Sequence, residues 1–155
     1  MVENQARDFT ITHKVKKTPI KRRQEREFVL QMLFAGEFNS EPLESQIRLL
    51  DDFTRQKATP FARKLIKICQ EKKDLLDTEI INKLDNWDFN RIAVIDKLIL
   101  RMAISELIFF EEIPAEVSIN EAIELGKEFS TEQSGKFING ILDAILKKLK
   151  SENKI

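Results

Sequence analysis

Apolar residues in this chain recur three and four positions apart rather than in alternation, and that spacing constrains the fold more than any other feature. No segment alternates with period two for long. Only four Gly and four Pro punctuate 155 residues, and the one Asn-Gly pair, Asn139-Gly140, falls inside a helical pattern. The expected fold is all-α, a bundle of six or seven helices.

From Lys21 to Ala35 the chain fits a helix with Phe28/Met32, Val29/Leu33 and Leu30/Phe34 paired at i,i+4. It is expected to be buried in its C-terminal half and exposed at a basic start formed by Lys21, Arg22, Arg23 and Arg26. Cations at a helix N-terminus oppose the macrodipole by some tenths of a kcal/mol each. A negatively charged ligand there would remove the conflict.

A second helix is expected from Pro42 to about Arg55, with Leu43, Ile47, Leu50 and Phe53 on one face. Thr59-Pro60 reads as N-cap and first helical residue of a longer helix reaching toward Leu84, whose spacing slips around Leu75 and so divides it in two. Asp88 or Asn90 then caps the most apolar segment, Ile92 to Ile108, which belongs at the centre, and Pro114 breaks the chain. Ser118-Ile119-Asn120-Glu121 has the form of a capping box, placing a helix start there and its end near Phe129. Ser130 with Gln133, or Thr131, opens the last helix, which carries Ile138, Ile141, Leu142, Ile145 and Leu149 on one stripe. Gly140 is expected to admit a neighbouring helix.

The chain is 42% hydrophobic and 34% charged, with 26 basic and 26 acidic residues. That neutrality hides an asymmetry. Residues 1–26 hold eight basic side chains against three acids, a net of +5 that the remainder offsets. Such an arm either binds a polyanion or is a solvated tail. The richest apolar span is interrupted by Arg101 and Glu106, which excludes a membrane-spanning helix, and Met1 to Thr10 lack the apolar core of a secretory signal. The expected address is the cytoplasm.

Catalytic chemistry finds little to stand on. His13 is the only histidine and Cys69 the only cysteine, so His-based triads, thiolate zinc sites and internal disulfides drop out. Cys69 sits in an apolar stripe and reads as core. Asp51/Asp52 and Glu111/Glu112 are sequence neighbours about 100° apart on a helix, so neither pair converges. Residues 130–137 share Gly135-Lys136 with a phosphate-binding loop but have Ser130 for its first glycine and Phe137 for its hydroxyl residue. No enzyme, metal or cofactor is expected.

Four blocks between Arg91 and Leu149 carry a resemblance. They are Leu100-Arg101-Met102-Ala103-Ile104-Ser105-Glu106-Leu107, Ile113-Pro114, Ser118-Ile119-Asn120-Glu121-Ala122-Ile123-Glu124-Leu125 and Lys136-Phe137-Ile138-Asn139-Gly140-Ile141-Leu142-Asp143. In this order they resemble the C-terminal half of the NusB family of bacterial transcription antitermination factors. Arg22-Arg23-x-x-Arg26-Glu27-x-x-x-Gln31-x-Leu33-Phe34 resembles that family's arginine-rich first helix. Residues 36–90 match mainly in helical character and in Trp87.

The resemblance implies a NusB-like domain over residues 21–150, made of two packed subdomains at 21–86 and 87–150, with residues 1–20 as a basic, flexible leader. It implies pairing with ribosomal protein NusE, binding of boxA-type single-stranded RNA in nascent ribosomal RNA transcripts, and action on the RNA polymerase elongation complex with other Nus factors, as a monomer or homodimer. By position, Arg22, Arg23 and Arg26 would contact RNA phosphates, with Lys21 beside them. Lys136 and Phe137 would lie on the RNA surface, where the ring either stacks on an unpaired base or belongs to the core. Phe34 and Glu106 would belong to the partner surface. Three or four phosphate contacts imply a log–log salt slope of about −2 to −3. The chain departs from the family pattern at Phe34, commonly tyrosine, and at Gln133 and Gly135, often an acid and a histidine. Two alternatives share the fold: an accessory domain related to those of ribosomal RNA cytosine methyltransferases, and a protein-interaction scaffold without RNA.

Overall fold

A computed structural model describes residues 21–42, 44–48 and 58–155. The leader, and with it His13, lies outside the described residues, as do Leu43, Leu50, Asp51, Asp52 and Phe53 of the second expected helix. Among the described residues there are six α-helices: α1 Arg22–Glu37, α2 Pro60–Glu71, α3 Lys73–Ile81, α4 Val94–Phe109, α5 Ala115–Phe129 and α6 Glu132–Ser151. A 3-10 turn, Phe89–Arg91, precedes α4, and residues 44–48 are also helical.

The centre is α4. Every residue from Leu98 to Leu107 is buried, so the helix is enclosed on all sides, as an all-round apolar helix must be. It packs against each of the other five α-helices, while α1 pairs with α2 and α5 with α6. Four charged residues interrupt its apolar surface: Asp96, Arg101 and Glu106 are buried, and Lys97 is partly buried. Arg101 meets Asp77 of α3 with Nε 2.6 Å from Oδ1. Cys69 lies against Ser105, and burial pushes its thiol up to about 12, which leaves almost no thiolate at neutral pH.

Local signals set several boundaries. The Thr59 hydroxyl accepts from the Ala62 amide at 3.2 Å with Pro60 as first helical residue, and the slip at Leu75 corresponds to the break at Lys72 between α2 and α3. Of the alternatives for the last helix, Thr131 is the cap, accepting from the Ser134 amide at 3.0 Å. Asp88 caps the 3-10 turn through the Asn90 amide at 2.9 Å, and α4 starts later, at Val94.

Two expectations need correction. Ser118 to Glu121 is not a capping box, because α5 begins at Ala115 after Pro114 and both side chains are used by other helices. Gly140 is not the point of close approach. A Cβ there would meet nothing within 4 Å, whereas one on Gly126 would lie 2.7 Å from Ile138 Cδ1 and one on Gly135 2.9 Å from Lys127 Cγ. The close α5–α6 approach therefore falls at Gly126, against the buried Ile138 side chain, and at Gly135, against the exposed Lys127 side chain. Gly140→Ala should raise stability by about 0.5–1 kcal/mol by removing helix-interior backbone entropy. Gly126→Ala should lower it. A melting temperature for Gly140→Ala at or below that of the parent would contradict this packing.

Candidate nucleic-acid interface

The N-terminal end of α1 carries the basic cluster, and its arginines divide by burial. The Arg22 and Arg23 side chains are 47% and 57% exposed, and that of Arg26 is 4%. Lys21, just before the helix, is exposed. Arg22 lies over the Phe61 ring, 4.0 Å from its centroid, with Nε 3.4 Å from Glu25 Oε1. Glu25 is buried in the first turn, where its charge suits the helix dipole, and it accepts from the Thr59 hydroxyl. The dipole conflict seen in the sequence is thus partly relieved by the helix's own acid.

Arg23 is held by a two-point contact with Glu121 of α5, Nε to Oε1 at 3.2 Å and Nη2 to Oε2 at 2.7 Å. The hydrogen bond from Arg23 holds the Glu121 carboxyl below its ordinary range, burial opposes it, and the charges of Arg23 and Arg26 add to the lowering. Nearby Glu27 is shifted upward, first by burial and then by Glu128.

Arg26 points inward and forms a second fork, Nε to Glu106 Oε2 at 2.8 Å and Nη2 to Oε1 at 2.7 Å. The Ser118 hydroxyl donates to Glu106 Oε1 at 2.7 Å, and Arg26 Nη1 lies 3.7 Å from Glu121 Oε1. Arg26, 4% exposed, and Glu106, 2% exposed, are thus buried against each other, whereas Arg22 and Arg23 face the surface. The buried pair positions the end of α1 against α4 and α5. The signal in the sequence was Glu106 itself, since a charge inside the most apolar helix demands a buried partner.

Lys136 and Phe137 belong to a different place. They lie in the early turns of α6 beside a groove of about 500 Å³ that is also lined by Trp87, Arg91 and Asp96. Asp96 and Glu106 are ten residues apart on α4, about 15 Å along its axis, so this groove is separate from the arginine fork. Lys136 is exposed, Phe137 is half-buried against the core, and its ring lies 6.1 Å from that of Trp87 at an angle of 51°. Ser134 Oγ donates to Asp96 Oδ2 at 2.9 Å. Gln133 lines the groove, and Gly135 packs on Lys127.

Phe34 is at the far end of α1, about 18 Å from Arg22 along the helix. It is exposed and meets the still more exposed Phe38 edge to face, with ring centroids 5.1 Å apart. The structure thus brings Arg22, Arg23, Arg26 and Glu106 together and leaves Phe34 and the Lys136–Phe137 pair apart from them. Phe38 and Arg91 went unnoticed in the sequence, for exposure is not written in hydrophobic spacing.

Fold and site define a class: an all-helical bundle that presents an arginine-bearing helix end and an aromatic groove, with no cluster of metal-ligating side chains among the described residues. The chain belongs to the NusB family, whose model matches residues 23–147. It is 41% identical over 136 residues to the transcription antitermination protein NusB of Chloroherpeton thalassium, an alignment covering 86% of this chain and 64% of that protein. The chain thus spans just under two thirds of that relative's length. The T. maritima NusB structure is 41% identical, covers 88% of this chain and 98% of its own, and superposes with a TM-score of 0.79. At 24% identity, a NusB chain solved with NusE and dsRNA shares the fold, with a TM-score of 0.74 over 82% of this chain and 96% of its own. Among the described residues no helix is long and apolar enough to cross a membrane.

Proposed function

We propose that this chain is a transcription antitermination factor, a cytoplasmic, non-enzymatic adaptor that pairs with ribosomal protein NusE and binds boxA-type single-stranded RNA in nascent ribosomal RNA transcripts. It would thereby join the RNA polymerase elongation complex with other Nus factors. The observation that carries this reading is the family match from residue 23 to 147, which takes in Arg23 and Arg26 of α1 and the aromatic groove. The named activity of the Chloroherpeton thalassium relative and the NusE and RNA seen with a structural neighbour support it. Within the chain, residues 21–86 and 87–150 would act as two subdomains, with Lys21, Arg22 and Arg23 supplying phosphate contacts and Lys136 and Phe137 a second part of the RNA surface. Phe34 remains the candidate partner contact, now with Phe38 beside it.

The test is fluorescence anisotropy with labelled boxA RNA and a scrambled control, with and without NusE, across a range of salt. The expected result is boxA binding that NusE tightens, with a log–log salt slope of about −1.4 to −2 for two or three phosphates at the α1 end, steeper if the groove contributes. Equal affinity for both RNAs, or no binding with NusE present, would overturn the proposal.

A further inference from the structure

Trp87 is the largest side chain the fold leaves in water, 62% exposed in the segment between α3 and the 3-10 turn. Its ring is nonetheless oriented, because Phe137 lies 6.1 Å away and is itself packed against the core. At that separation and a 51° tilt the two rings cannot sandwich a third, so the open face of Trp87 is the surface on offer. The groove beside it, about 500 Å³, falls in the range that holds one flat organic group.

Charge decides between the occupants that aromatic surfaces take. A cationic ligand, the usual guest of aromatic clusters, is disfavoured by exposed Arg91 and Lys136, which both line the groove. A flat group carrying negative charge on its flanks fits both features. At the base of the groove Asp96 gives one oxygen to Ser134, and its Oδ1 has no hydrogen-bond partner among the described residues. A base N–H, directly or through one water, supplies the missing donor.

We propose that Trp87 is a stacking platform for one unpaired base of a single-stranded RNA, with Phe137 as its buttress and Arg91 and Lys136 placed for the flanking phosphates. The inference rests on the RNA-binding reading and deepens it. It moves base stacking from Phe137 to Trp87 and adds Arg91 to the contact set.

Trp87 is the only tryptophan in the chain, so its emission reports directly on the site. Unlabelled single-stranded boxA RNA is titrated into the full chain with NusE while emission is followed, and anisotropy of the labelled RNA is measured for Trp87→Leu, Trp87→Phe and Arg91→Gln. Stacking predicts quenching that saturates with binding. Trp87→Leu should weaken binding by about 5- to 150-fold, Trp87→Phe should recover most of the loss, and Arg91→Gln should flatten the salt slope by about 0.7. Unchanged melting of Trp87→Leu separates lost contact from lost fold, and the quenching of the parent chain needs no variant. RNA binding by anisotropy without quenching, and with full affinity in Trp87→Leu, would overturn the platform and leave the RNA-binding reading standing. Absence of RNA binding by the parent chain would overturn both.

Discussion

Replacing Arg26 with methionine should destabilise the protein by about 3–5 kcal/mol, because the Glu106 carboxylate would stay behind without its partner. The side chains of this pair are 4% and 2% exposed, and each guanidinium–carboxylate distance is 2.8 Å or less. Desolvation makes such a pair a poor net source of stability and a severe loss when half is removed. Glu106→Leu should do comparable damage by stranding the guanidinium. For a chain of this size the loss corresponds to a fall in melting temperature of roughly 6–20 °C. The double variant Arg26→Met/Glu106→Leu should recover most of it. Recovery stops short because Ser118 loses its acceptor, so adding Ser118→Ala should restore more. Denaturant unfolding of the two singles and the double completes a cycle whose coupling energy should be strongly non-additive. Additive singles below about 1 kcal/mol would mean that the pair is solvated and that the inward position of Arg26 is wrong.

This pair also marks where the sequence stops being informative. The helices of the core were legible because their evidence is local: i,i+4 apolar pairs in α1, a nearly unbroken apolar run in α4, a regular stripe in α6 and a Thr-Pro start for α2. Side-chain assignments failed wherever a residue's partner lies on another helix. Ser118 and Glu121 have capping-box spacing, yet Ser118 donates to Glu106 and Glu121 receives Arg23. Gly140 and Gly126 look alike in sequence, and only the rotation of α5 against α6 makes one solvent-facing and the other tight. Among Arg22, Arg23 and Arg26, nothing local says which turns inward. The charges set into the apolar α4 did announce that partners exist, and the fold supplies them as Arg26 for Glu106 and Asp77 for Arg101. Trp87 was noticed in the sequence only as a point of likeness, since its exposure depends on the path of the chain before α4.

Reversing the exposed arginines should have the opposite profile to reversing the buried one. Arg22→Glu/Arg23→Glu should weaken boxA binding on the order of 100-fold, from the loss of two charge-assisted contacts and the repulsion that replaces them. The log–log salt slope should flatten by about 1.4. Both side chains are about half exposed, so the fold should survive, although a glutamate at position 23 would face Glu121 and Arg23→Gln is the milder control. Free Arg23 is not idle, because Glu121 holds its fork in the way a phosphate would. On the proposed RNA surface a phosphate would have to displace that carboxylate, so Glu121→Gln should tighten binding a few-fold while weakening the α1–α5 contact. The pH dependence follows with its sign. Glu121 is shifted downward in the folded chain, so its contribution is present above the ordinary glutamate range and is lost as pH falls through the lowered value. Glu121→Gln should accordingly flatten the acid limb of the stability curve. Glu27, shifted upward, works against the fold at neutral pH and ceases to do so as it protonates, so Glu27→Gln should stabilise. If Arg22→Glu/Arg23→Glu binds boxA as the parent does, the N-terminal end of α1 is not the RNA surface, and the phosphate contacts must lie at the groove.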